Sequence, residues 1–288
     1  MAHFLFYNGE WLDHQQPLIT AGNRGFRYGD GLFETLCVVN GGIRLARYHF
    51  ERLWAGMQLL QLQLPPEYSP AYFSAQIAAL CQKNQHPAAR VRLTVFRGDG
   101  ALFDPANSPA HCIIESQPLP SHLPAVALAK EGLITGIYSP ARKSPDGFSN
   151  IKSNNYLPSV MASLHARQHG WNDAFLLNTD GRVCESAIAN VFIARGRHLY
   201  TPPLSEGCVA GVMRRFLLEH LPAAGYTVDE TPLSISDLYA ADEVFLTNAL
   251  HLLRSVSHCD KEQYHTQLGA EIYQAMEKKW ADIACFSG

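Results

Sequence analysis

Hydrophobic and polar positions change period several times along the chain, and each change predicts an element. Phe4-Leu5-Phe6-Tyr7 and Glu10-Trp11-Leu12 flank Asn8-Gly9, a dipeptide suited to tight hairpin turns, so two strands open the fold. A Gly-rich stretch at 22–31 follows, and residues 32–39 and 43–45 then predict a second hairpin around Asn40-Gly41-Gly42. Over 49–62 the apolar positions Leu53, Met57 and Leu60 take helical spacing, and Phe73, Ile77 and Leu80 do the same over 71–83. Strand patterns return at 91–96 and 111–115, which makes residues 1–117 a small α+β domain with two helices covering a sheet.

Pro118, Pro120 and Pro124 remove backbone donors and stiffen the chain, marking 118–124 as an interdomain linker. Residues 125–288 then form a larger mixed α/β domain. Its predicted strands cover 125–129, 174–177, 191–194 and 243–246, and its helices 157–169, 212–223 and 268–280.

Composition narrows the class of function. The chain has 288 residues, 47% hydrophobic and 17% charged, which describes a soluble globular protein. A net charge of −3 offers no basic field to nucleic acid or anionic lipid, and no apolar run reaches the roughly 20 residues of a membrane span. The start lacks the basic and apolar regions of a signal peptide, so a cytoplasmic protein acting on a small molecule is expected. Seven cysteines without a C-x-x-C pair argue against disulfides and zinc, and most are expected to be reduced and buried. His165 and His169 have a metal-compatible spacing but no third ligand, so no metal is expected.

Two polar segments suggest the chemistry. Lys152 lies in Phe148-Ser149-Asn150-Ile151-Lys152-Ser153-Asn154-Asn155-Tyr156, and Glu185 in Gly181-Arg182-Val183-Cys184-Glu185-Ser186-Ala187-Ile188-Ala189-Asn190. An unprotonated lysine can bond to an aldehyde, and a carboxylate can hold a proton on a pyridine ring nitrogen. A lone lysine and glutamate would ordinarily be solvated charges, so the flanking motifs decide. Those motifs, with Tyr28-Gly29-Asp30-Gly31-Leu32-Phe33-Glu34, His49-Phe50-Glu51-Arg52-Leu53, Val209-Ala210-Gly211-Val212-Met213 and Thr247-Asn248-Ala249, resemble the class IV (fold type IV) pyridoxal phosphate enzymes. That family includes branched-chain and D-amino-acid aminotransferases and aminodeoxychorismate lyase. The likeness runs in the family's order from about Tyr7 to about Val256.

The resemblance implies a two-domain homodimer using pyridoxal 5'-phosphate, bound to Lys152 as a Schiff base with Glu185 at the ring nitrogen. It implies that Arg52, the start of a helix at Gly211, Val212 and Met213, and the turn Thr247, Asn248 and Ala249 bind the phosphate. Tyr156 would bond the cofactor's phenolic oxygen, although its spacing from Lys152 is one residue shorter than in the branched-chain enzymes, and Asn190 would support the site from behind. Tyr28, Phe33 and Arg97 are expected at the substrate pocket. After Arg97-Gly98 the arginine and histidine of the D-amino-acid enzymes are absent, with Leu102 and Asp104 in their place, so D-amino acids are disfavoured.

The implied activity is transfer of an amino group between an amino acid and a 2-oxo acid. Thr247-Asn248-Ala249-Leu250 is closer to aminodeoxychorismate lyases, which release pyruvate and 4-aminobenzoate, whereas Lys152-x-x-Asn155-Tyr156-Leu157 leans toward the aminotransferases. Retention of Lys152, Glu185 and Arg52 together opposes a third reading, a catalytically silent cofactor-binding protein.

Overall fold

A computed structural model describes residues 3–102, 109–119 and 131–282. The strand expected at 125–129, the linker from residue 120 onward, Asp104 and Cys285 lie outside the described residues. The chain divides into two compact units, Met1–Ser121 with Lys152–Asn155 in one and His122–Ile151 with Tyr156–Lys279 in the other.

The first unit contains β1 (Phe4–Tyr7), β2 (Glu10–Asp13), α1 (Arg24–Tyr28), β3 (Gly31–Val39), β4 (Gly42–Ile43), α2 (Ala46–Leu59), α3 (Pro70–Lys83), β5 (Ala88–Arg97) and β6 (Ala110–Pro118). Its six strands form one antiparallel sheet in the order β2-β1-β6-β5-β3-β4. Asn8 takes a positive φ in the first turn, as the Asn-Gly pair predicts. Phe50, Leu53 and Met57 of α2 and Phe73, Ile77 and Leu80 of α3 bury against Leu36, Val38, Val91, Leu93, Val95 and Ile114 of the sheet. Ser69 caps α3 by accepting the Tyr72 N–H, with Pro70 preset for the first turn.

The second unit contains β7 (Leu133–Lys143), α4 (Leu157–Gln168), β8 (Asp173–Asn178), β9 (Val183–Ser186), β10 (Asn190–Arg195), β11 (His198–Thr201), α5 (Val212–His220), β12 (Thr227–Glu230), α6 (Ile235–Tyr239), β13 (Glu243–Asn248), β14 (Leu252–Cys259), β15 (Glu262–Gln263) and most of α7 (Gln267–Asp282). The sheet runs β12-β11-β10-β13-β14-β7-β8-β9, with β15 on β14. It is mixed: β11 with β12, β14 with β7 and β7 with β8 are parallel.

Lys152, expected in the C-terminal domain, groups with the N-terminal unit. The reason is backbone pairing with β3: Phe33 N–H donates to the Lys152 carbonyl and Asn154 N–H to the Gly31 carbonyl, both at 2.9 Å. Gly29 makes room for this segment, because it sits at φ 65° and a Cβ there would collide with the Asn155 side chain.

Candidate active site

In the first unit, Lys152 is half-buried and places Nζ 4.7 Å from the Phe33 ring centroid. The Arg92 guanidinium, on β5, lies 3.7 Å from the same centroid. Arg92 escaped the sequence reading because strand alternation shows which face it occupies only once the β3–β5 register is known. Tyr28 ends α1 and is exposed, whereas Phe33 is buried in β3.

Arg52 is held by Glu34. Its Nε donates to Glu34 Oε1 at 2.8 Å and its Nη2 to Oε2 at 2.5 Å, a two-pronged pairing that fixes the guanidinium plane. His49 Nδ1 meets Glu34 Oε2 at 2.6 Å. Burial opposes the Glu34 charge, but the Arg52 guanidinium and then His49 outweigh it and hold the carboxyl at about 2. Burial pushes His49 below its usual range, so the neutral ring donates from Nδ1 and leaves Nε2 buried without a partner among the described residues. Glu34 lies within a quoted motif, yet its part in orienting Arg52 needs the β3–α2 packing to be seen.

Arg97, expected at the substrate pocket, is anchored by two contacts within the first unit. Its Nε donates to Asp30 Oδ2 at 2.9 Å and its Nη2 to the Leu60 carbonyl at 2.6 Å, while Arg24 pairs with the same Asp30 oxygen. It ties the segment before β3 to the end of α2.

In the second unit, Glu185 on β9 is buried, its Oε1 accepting from Lys143 Nζ and its Oε2 from the Val209 N–H at 2.9 Å. Asn190 Nδ2 donates to the Val209 carbonyl at 2.8 Å, and Asn190 pairs with Thr247 across β10 and β13. Gly211 is the N-cap of α5, and a Cβ there would collide with Asn190 Oδ1, so only glycine lets the loop pass. No side chain caps α5, whose first residues Val212 and Met213 are buried. Thr247 Oγ1 is buried without a partner among the described residues. An uncapped helix start beside an orphaned hydroxyl fits a phosphate, which accepts from both. Asn248 accepts the Leu250 and His251 N–H groups through Oδ1, closing the turn that carries Ala249. Tyr156 is the N-cap of α4.

The His165 and His169 rings lie tilted at 35° with centroids 4.0 Å apart, and no group of three metal-ligating side chains occurs among the described residues. The six described cysteines are free and buried.

Asp173 is buried beneath the turn after Glu185, accepting from Ser186 Oγ at 2.8 Å and the Ala187 N–H at 3.1 Å. Burial raises its carboxyl to about 6, partly offset by those bonds. Because the folded state holds the proton longer than the unfolded one, stability falls as pH rises from about 4 to about 6, by about 3 kcal/mol. Asp173→Asn should flatten that window in urea unfolding followed by circular dichroism, and an unchanged slope would refute it.

The sequence model described as amino-transferase class IV matches residues 31–259. A Methanocaldococcus jannaschii protein provisionally named a branched-chain-amino-acid aminotransferase is 29% identical over 285 residues, covering 97% of this chain and 96% of its own. The aminodeoxychorismate lyase of Bacillus subtilis is 29% identical over 270 residues, covering 92% and 89%. The crystal structure of Escherichia coli branched-chain amino acid aminotransferase aligns with a TM-score of 0.87 and 25% identity, covering 100% of this chain and 97% of that one.

Proposed function

The chain belongs to the class IV aminotransferases, and on that premise we propose how its own residues carry the family's reaction. The protein is a pyridoxal phosphate-dependent enzyme that transfers an amino group between an amino acid and a 2-oxo acid. The cofactor, when bound, supplies a ring that takes up the electron pair left as the substrate α-carbon loses its proton.

Lys152 would hold the cofactor through its aldehyde and, as general base and acid, move the proton at the substrate α-carbon. Glu185 holds the proton on the ring nitrogen. Arg52, oriented by Glu34, binds phosphate oxygens through two donors, while the Val212 and Met213 amides and the Thr247 hydroxyl supply the rest. Asn248 shapes the turn presenting Ala249 and Asn190 props the Gly211 loop, and Tyr156 would donate to the cofactor's phenolic oxygen. Tyr28 and Phe33 line the substrate pocket, with Arg92 lending positive charge beside Phe33. The carrying observation is that Glu185 and Arg52 are ordered by buried hydrogen bonds, where surface charges would be solvated.

The test is a panel of amino acids with 2-oxoglutarate on the cofactor-loaded protein. Amino transfer should appear, with the bound cofactor alternating between its two absorbing forms. Pyruvate release from aminodeoxychorismate without that alternation would favour the lyase, whose Asn-Ala-Leu segment this chain shares at Asn248-Ala249-Leu250. A protein that stays colourless after incubation with pyridoxal phosphate would overturn both.

The working assembly is a homodimer. On α4 the residues Leu157, Val160, Met161 and Leu164 are 69, 49, 43 and 44% exposed at i, i+3, i+4 and i+7 spacing, while Ala162 and Ala166 bury the opposite face. A second copy would cover this stripe. Met161→Asp with Leu164→Asp should shift the protein to monomer in analytical ultracentrifugation, and an unchanged dimer would remove α4 from the interface. Free, buried cysteines suit a cytoplasmic setting.

A further inference from the structure

Lys143 ends β7, two strands away from β9, and pairs with Asn178 of β8. It reaches that register through an irregularity: Tyr138 faces Leu176 and Arg142 faces Leu177, so Ser139, Pro140 and Ala141 bulge out of the ladder. A bulge re-aims the side chains beyond it. Beyond this one the Lys143 ammonium meets Glu185 Oε1, with both side chains nearly excluded from solvent, at 15% and 5% exposure. Burial works against the ammonium, but Glu185 outweighs it and holds Lys143 above its usual range. The other groups acting on it, Cys184 and Cys208, are thiols whose burial keeps them neutral, so Glu185 is its one charged neighbour among these.

We propose that Lys143 is a positioning residue for Glu185: with the Val209 amide on Oε2, its ammonium on Oε1 holds the carboxylate in one orientation for the ring nitrogen. The inference rests on the reading of Glu185 as the ring-nitrogen partner. A buried carboxylate stripped of its cation turns toward another donor, and that change loosens its grip on a protonated ring.

The test compares affinity for pyridoxal phosphate with affinity for an analogue whose ring nitrogen is replaced by carbon, by fluorescence titration of the full-length apoprotein. Lys143→Met should weaken the natural cofactor by about tenfold or more. It should leave the analogue within about twofold, since independent effects add nearly cleanly. Lys143→Arg should restore discrimination between the two. Lys143→Gln, which keeps a donor without the charge, carries the same expectation in smaller size if the methionine variant does not fold. Equal weakening of both ligands would make the pair merely structural and overturn the proposal. Unchanged discrimination in Lys143→Met, with discrimination lost in Glu185→Gln, would overturn it while leaving Glu185 in its role. Discrimination intact in Glu185→Gln would remove the role of Glu185 itself and the proposal with it.

Discussion

Lys152→Ala should abolish amino transfer, lowering kcat on the order of 10⁴-fold or more, because in the proposed role one side chain would both hold the aldehyde and move the proton. The visible absorbance of the cofactor-loaded protein should vanish with it. The fold should survive: β3 needs the backbone of this segment, the Lys152 carbonyl for the Phe33 N–H and the Asn154 N–H for the Gly31 carbonyl. Steady-state rates, absorption spectra and a thermal melt together make the check. Turnover within about tenfold of the parent protein would mean that another amine carries the chemistry.

Glu34→Ala should be the most destabilising substitution near the site. It strands the Arg52 guanidinium, 12% exposed, and the fully buried His49 ring without their shared carboxylate. Leaving one side of a buried pair uncompensated costs about 3–5 kcal/mol. The same group has a pH signature: its carboxyl sits at about 2 when folded, below the ordinary value of 4.5. Its stabilisation is therefore complete above 4.5 and lost as pH falls toward about 2, a change of about 3 kcal/mol. Urea unfolding at neutral and acidic pH measures both effects. Glu34→Gln should retain more stability than alanine yet weaken cofactor binding, because a neutral amide cannot fix Arg52 through two charged bonds. Wild-type stability in Glu34→Ala would show that Arg52 and His49 find other partners.

The first unit was readable because its periods are clean. The 3.6-residue spacing on α2 and α3 and the Asn-Gly turn are local signals, and both helices and the opening hairpin stand within a few residues of their predicted bounds. β7 and β14 were not readable. β7 carries Gly136 and Pro140 and is interrupted by its bulge, and β14 buries at irregular intervals. The two strands pair with each other in parallel across more than a hundred residues, a partnership that no local period encodes.

The site divides the same way. Lys152, Glu185, Arg52 and Gly211 could be put forward as candidates from the chain because the chemistry proposed for them depends on residue type within short motifs. What each side chain meets depends on register and packing, which bring together residues far apart in sequence. Arg97 is an arginine in a family-like segment, yet it grips Asp30; Arg52, another arginine, is aimed by Glu34; Lys143, in no motif, meets Glu185 only because a bulge turns it there. The sequence by itself determined the family and the cofactor, since the motifs that carry the resemblance are local, and it put Lys152 forward as the reactive amine. The tertiary structure alone decided which charges pair, because a buried charge must find its partner across the fold.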